Sequence, residues 1–244
     1  MTPRLPVFQA VQSMNPRLPI PKRPKLYINR RGHCLSPYES SISRMAAVNQ
    51  LTGAVFEMVD GTALKTEVLS DTNPTRANQC LSFIYEAMME HQDMVVGLDI
   101  TWRQNDSDDA LLVICTRLGC VLTTVRSARG FWNLKLFLNN KDIIFVGVRM
   151  KEDVDKLRLL LPLGFRNVVD LGELASDALH QPRLRAVGVR TLASKVLSLP
   201  FKSRSLTDAI VSWSHPFYLE RNQTESATID AYAAYLTGKE LLKF

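Results

Sequence analysis

Long apolar runs are missing from this sequence. Nothing in it approaches the roughly 18 uninterrupted apolar residues that a membrane-spanning helix requires, which excludes a spanning role. Cysteine is sparse: Cys34, Cys80, Cys115 and Cys120 form no CxxC, and no histidine stands at zinc-ligand spacing from them. This excludes a structural zinc and fits a reducing compartment, the nucleus or the cytoplasm. The stretch Met1 to Val11 has Pro3, Arg4 and Pro6 but no apolar run of signal-peptide length, so no secretion is expected. Acidic residues are absent from the first 38 positions, and no internal repeat is visible.

What is present is an ordinary folding composition, with 46% apolar and 22% charged residues in a 244-residue chain. That length suits one large domain or two small ones. The net charge of +6 is unevenly placed. Residues 1–38 hold seven basic side chains (Arg4, Arg17, Lys22, Arg23, Lys25, Arg30, Arg31), so residues 39–244 carry a net −1. The same segment holds seven of the twelve prolines, which fix φ and remove backbone donors. Residues 1–45 therefore read as a disordered basic, proline-rich arm, and residues 46–244 as the folded domain. The cluster Pro21-Lys22-Arg23-Pro24-Lys25 fits phosphate contact, a nuclear import address or solubility alone.

The domain pattern begins with Ala54–Val59 and Ala63–Leu69, two strands joined at Asp60-Gly61. Asn73-Pro74 marks a helix entry, and Cys80, Phe83, Ile84, Ala87 and Met88 recur at helical spacing to about His91. Strands are expected at Met94–Ile100, Ala110–Cys115 and Cys120–Val125, a helix at Gly130–Leu138, and a buried strand at Ile143–Gly147. Helices follow at Glu152–Leu161, Leu171–Leu179, Val189–Leu197 and Gln223–Leu242, with a short strand at Val168–Asp170. Three antiparallel strands followed by strand–helix alternation predict an α/β domain, a mixed sheet flanked by helices.

Three carboxylates fall where burial is costly: Asp99 near the end of an apolar strand, Asp153 at a helix start after another, and Asp230 within the apolar-rich last helix. One solution to such a cluster is Mg²⁺, a hard cation that takes oxygen ligands, and a pair of such ions can activate a water against a phosphodiester. The alternative is three separate local roles, with Asp99 ending a strand, Asp153 capping a helix and Asp230 solvated.

The run Val95-Val96-Gly97-Leu98-Asp99-Ile100-Thr101-Trp102 resembles the first motif, V-G-x-D-x-E-W, of the 3′-5′ exonucleases of the ribonuclease-H-like DEDD superfamily. Phe145-Val146-Gly147-Val148 with Asp153 resembles the second motif, and Ala227-Thr228-Ile229-Asp230-Ala231-Tyr232 the third. Asn167 to Ala175, Gly188 to Ala193 and Trp213 look like the segments between, and the resemblance, closest to the Werner-syndrome type and its small plant relatives, runs from about Leu51 to Leu242. It implies a ribonuclease-H-like fold, Mg²⁺ or Mn²⁺ held by four carboxylates, a tyrosine that positions the attacking water, and DNA or RNA 3′ ends as substrate. Asp99, Asp153 and Asp230 match three of the carboxylates, as catalytic and metal-binding residues. Thr101 stands where the motif glutamate belongs and Ser226 where the tyrosine belongs. A sister branch has histidine one position earlier, which here is Glu225. The resemblance thus implies an exonuclease with weakened catalysis. The alternative is an inactive relative that serves as a nucleic-acid-binding or protein-interaction scaffold.

Trp102 is a candidate to stack on a base or to pack at the core rim. Arg149 is a candidate phosphate contact or a solvent-facing side chain, and Arg190, charged at any working pH, reads as a surface or phosphate contact. Tyr232 and Tyr235 read as packing residues, and His180 and His215 as surface histidines.

Overall fold

The computed structural model describes residues 27–28, 34–35, 53–69, 73–103, 106–128, 132–160, 165–202 and 219–243. Two units are distinguished, residues 1–47 and residues 48–244. In the first, β1 (Tyr27–Ile28) pairs antiparallel with β2 (Cys34–Leu35). The rest of the arm expected over residues 1–45, together with Trp213 and His215, lies outside the described residues.

The second unit opens with the expected hairpin, β3 (Ala54–Glu57) and β4 (Ala63–Val68). Its turn is set by Asp60, whose carboxylate accepts from the Thr62 backbone N–H, and by Gly61 at φ +82°, a left-handed conformation that costs glycine little. Helix α1 (Pro74–His91) starts where Asn73-Pro74 predicts, because the Asn73 side chain accepts from the Arg76 N–H and Pro74 has no N–H to leave unpaired. The strands β5 (Val95–Arg103), β6 (Asp106–Thr116) and β7 (Gly119–Thr124) form an antiparallel meander. Then come α2 (Val125–Ala128), α3 (Trp132–Leu138), β8 (Ile144–Gly147), α4 (Met150–Leu160), β9 (Val168–Asp170), α5 (Leu171–Ala178), a 3₁₀ turn at Pro182–Ala186, α6 (Val189–Leu197) and α7 (Arg221–Leu242). No helix among the described residues is long and apolar enough to cross a membrane.

The sheet order is β3-β4-β7-β6-β5-β8-β9, with β5–β8, β8–β9 and β4–β7 parallel. Its inner part is an antiparallel meander extended on one side by two parallel strands, the mixed, helix-flanked sheet that the sequence predicts. Strand periodicity divides β5 between two cores. Val96 and Leu98, with Ile100 and Trp102 at its edge, pack with residues of α1, α3 and α4. Val95 belongs to the opposite core, shared with α5, α6 and α7. Gly97, Asp99 and Thr101 share the parity of Val95, and so face the α7 side. There α7 crosses very close: a Cβ on Gly97 would stand 2.0 Å from the Ala231 carbonyl oxygen and 2.7 Å from the Tyr235 nitrogen.

Two features exceed the sequence reading. Strand β6 begins at Asp106 rather than at Ala110, because the ladder to β5 carries the polar residues along with the apolar ones. The opening hairpin is not a separate piece, since Thr66, Glu67 and Val68 pair in parallel with Cys120, Val121 and Leu122.

Candidate functional site

The crossing of α7 over β5 places the first and third motifs on one side of the sheet. Within β5, Asp99 and Thr101 are two residues apart on one face, and the Thr101 hydroxyl donates to Asp99 Oδ2 at 3.4 Å. Threonine here supplies a hydroxyl where the motif supplies a second carboxylate, so this face has one negative charge instead of two.

Asp230 is buried on α7, and it is ion-paired. Arg190, on the neighbouring α6, brings Nε to 2.5 Å from Asp230 Oδ1. The same guanidinium donates through Nη2 to the Ser226 hydroxyl at 2.7 Å and to the Ser226 carbonyl at 3.0 Å, and through Nη1 to the Lys202 carbonyl at 3.3 Å. Both third-motif positions therefore share one partner. Arg190 was expected as a surface or phosphate contact, yet its side chain is only 9% exposed. The reason is local. Val189–Leu197 turns Leu192 and Ala193 into the core, and Arg190 shares that buried face, so its charge must be met by a carboxylate and carbonyls.

Asp153 is half-buried in the first turn of α4, and its Oδ1 accepts from Trp102 Nε1 at 2.7 Å. Burial pushes the Asp153 carboxyl above its ordinary range, and the Trp102 bond works against that rise. The Trp102 ring in turn lies under the Lys156 ammonium, 3.7 Å from the ring centroid. Trp102 thus combines packing at the core edge with a polar handle on the second motif, whereas Asp99 leaves β5 on the other face. Arg149, just before α4, adopts φ 59° and is exposed. Asp170 anchors this corner by accepting from the Met150, Gly172 and Glu173 backbone N–H groups.

The tyrosines of α7 pack and also bond. Tyr232 donates to Asp60 of the hairpin turn and accepts from the Thr62 hydroxyl, and Tyr235 donates to Asp93, which also pairs with Lys239 at 3.0 Å. His180 is exposed, as expected.

Among the described residues, no group of three or more His, Cys, Asp or Glu side chains is placed to hold a metal ion. The chemistry of the donor set gives the reason. Thr101 is uncharged, Asp230 is neutralised by Arg190, and Asp153 is bonded to Trp102. In this arrangement the residues do not fit the two-ion site that the motifs imply. What sequence reasoning missed is the burial of Arg190 against Asp230. Its only signal was a cation on the apolar face of a helix, a position that requires a buried counter-charge.

No protein-family model matches the chain. Over 192 residues it is 25% identical to the RISC-interacting clearing 3′-5′ exoribonuclease 1 of Arabidopsis thaliana, a match covering 75% of this chain and 94% of that protein. Among solved structures it resembles the EXD2 exonuclease domain soaked in Mn and Mg, at 23% identity and a TM-score of 0.42, covering 74% of this chain and 90% of that one. The same domain without that soak gives 23% identity and a TM-score of 0.41, covering 73% and 94%. Over those 192 residues the chain is thus similar to a 3′-5′ exoribonuclease.

Proposed function

We propose that residues 46–244 are a 3′-5′ exonuclease-like domain that engages DNA or RNA 3′ ends and hydrolyses them weakly, with residues 1–45 as a basic arm that adds affinity. The observation that carries this reading is the state of the third motif: Ser226 and Asp230, on one helix, are both bonded to Arg190. A phenol that orients water is replaced by a hydroxyl already engaged by a guanidinium. Thr101 removes a further negative charge beside Asp99. An activated water is the nucleophile in metal-assisted phosphodiester hydrolysis, and misplacing it by about 1 Å can cost roughly 10²-fold in rate. Two such losses support a slow enzyme. Mg²⁺ or Mn²⁺ is the cofactor this reading gives to any hydrolysis that remains.

On the binding side, the seven cations of residues 1–38 confer a salt-dependent attraction for phosphates that the near-neutral domain lacks. Trp102 would stack on a base only by exchanging the Lys156 ammonium that covers its ring, and exposed Arg149 offers a phosphate contact. Three thiols, Cys80, Cys115 and Cys120, are buried and unpaired, in keeping with a nuclear or cytoplasmic place of work. A second reading, a protein-interaction scaffold, is favoured by Trp132 and Leu136, exposed one helical turn apart on α3.

The test is restoration. A variant carrying Thr101→Glu and Ser226→Tyr, with Arg190→Gln to remove the cation at Asp230, is expected to degrade a 3′-labelled single strand in Mn²⁺ at least about 10²-fold faster than the natural chain. Failure of both proteins to bind the strand, in any salt, would remove the nucleic-acid reading and leave the scaffold.

A further inference from the structure

We infer that Arg190 is a built-in cation that takes the place of a metal ion at Asp230, so that this corner of the site is complete without divalent ions. The inference rests on the reading above only for its consequence, that strand binding needs no metal. Its own basis is the geometry of one side chain.

A carboxylate in a nearly dry position must be met by positive charge or by donors. Asp230 has its charge met by Arg190 Nε at 2.5 Å, with both side chains under 10% exposed. The guanidinium is not held by Asp230 alone. Its remaining nitrogens are engaged by the Ser226 hydroxyl and carbonyl and by the Lys202 carbonyl, so all three nitrogens have acceptors. Its planar fork therefore ties α6, the segment after it and α7 together around the third-motif aspartate. A divalent ion entering at Asp230 would have to displace this guanidinium and leave it buried without its counter-charge, or remain beside it as a like charge at short range. Both are costly where water is excluded. Arginine also stays charged throughout the working pH range, so no proton loss opens the position. Lysine would not serve equally, because one ammonium cannot reach acceptors on both α7 and the Lys202 carbonyl in fixed directions.

The experiment uses the full chain and Mn²⁺ as the probe. Thermal unfolding is recorded in chelator and in excess Mn²⁺ for the natural chain, Asp230→Asn and Arg190→Gln. The natural chain is expected to unfold at the same temperature in both. A rise of about 4 °C or more that Asp230→Asn abolishes would overturn the inference, because it would put the ion on that carboxylate. A rise that Asp230→Asn leaves intact locates the ion elsewhere and upholds it. Arg190→Gln is expected to unfold earlier in chelator and to recover part of the loss in Mn²⁺. A folded Arg190→Gln that gains nothing from Mn²⁺ contradicts the equivalence of guanidinium and ion. If that variant does not fold, the natural chain and Asp230→Asn still decide. Fluorescence anisotropy with a labelled single strand separates this from the functional reading. Equal affinity in chelator and in Mn²⁺ supports both, and a Mn²⁺ requirement that Asp230→Asn removes contradicts the inference alone. An absence of binding in either condition overturns the nucleic-acid reading and leaves Arg190 to the unfolding data.

Discussion

Substitution of Gly97 by alanine strikes the contact on which the site is built. The added methyl would lie 2.0 Å from the Ala231 carbonyl oxygen, 2.7 Å from the Tyr235 nitrogen and 2.9 Å from Tyr235 Cβ. Two of these three neighbours are main-chain atoms of α7, so no rotamer change relieves them, and the helix must withdraw by about 1 Å to restore an ordinary contact. Overpacked cores typically lose about 1–3 kcal/mol, and a clash against backbone on a central strand belongs at the upper end. For a domain of this size, about 3 kcal/mol corresponds to a fall of roughly 6–12 °C in Tm. Thermal unfolding followed by far-ultraviolet circular dichroism measures it. Gly188→Ala is the control, since a Cβ there has no neighbour within 4 Å and the residue has an ordinary negative φ. Hydrogen exchange should also speed along α7, whose position against β5 holds Asp230 on the side of the sheet that carries Asp99. A Gly97→Ala protein within about 2 °C of the natural chain would refute the reasoning, because it would mean that the crossing is looser than the geometry requires.

Other outcomes follow from single contacts. Burial holds the Asp153 carboxyl above its ordinary range, so the folded state binds that proton more tightly than the unfolded one; the stability this contributes is present at low pH and is lost as pH rises through the folded value. Asp153→Asn, which keeps an acceptor for Trp102 Nε1, is therefore expected to gain stability relative to the natural chain at neutral pH and to lose that advantage on acidification, as read from urea midpoints across pH. A larger advantage in acid would reverse the sign and defeat the argument. Burial, with the Glu67 charge adding to it, pushes the Cys80 thiol up to about 12, so only about one in ten thousand molecules carries the thiolate at pH 8. Alkylation of the native chain should spare Cys80, Cys115 and Cys120, and rapid labelling of any of them, mapped by mass spectrometry, would contradict their burial. Deleting residues 1–45 should lower the salt slope of single-strand binding by up to about 6, from roughly 0.7 for each of the eight Lys and Arg side chains removed. An unchanged slope would place the affinity on the domain.

The sequence made local structure legible where one residue type has a single physical use. Asn73-Pro74 announces a helix because it supplies a side-chain acceptor and no surplus donor, and Asp60-Gly61 announces a turn because only glycine takes its φ cheaply. The β5 motif was legible for the same reason, as alternation puts Asp99 and Thr101 on one face. Parallel pairing of β4 with β7 was not legible. Those strands are separated by about fifty residues, and no local pattern chooses parallel over antiparallel at that distance. Arg190 and Trp102 were misjudged or left open because their partners, Asp230 and Asp153, lie 40 and 51 positions away. A charged residue in a helix is usually solvated, and only tertiary packing converts it into half of a buried pair.

The first and third motifs share one side of the sheet, with Thr101 and Ser226 standing where the resemblance implies the charge and the phenol that hydrolysis uses, and slow turnover is the expected consequence. Degradation of a 3′-labelled single strand, followed at excess enzyme in Mn²⁺ for the natural chain and for Asp99→Ala, tests it most directly. Product release by the natural chain is expected to be slower than that of the Thr101→Glu, Arg190→Gln, Ser226→Tyr variant by about 10²-fold or more, and Asp99→Ala is expected to abolish what remains. Rapid degradation by the natural chain, abolished by Asp99→Ala, would contradict it.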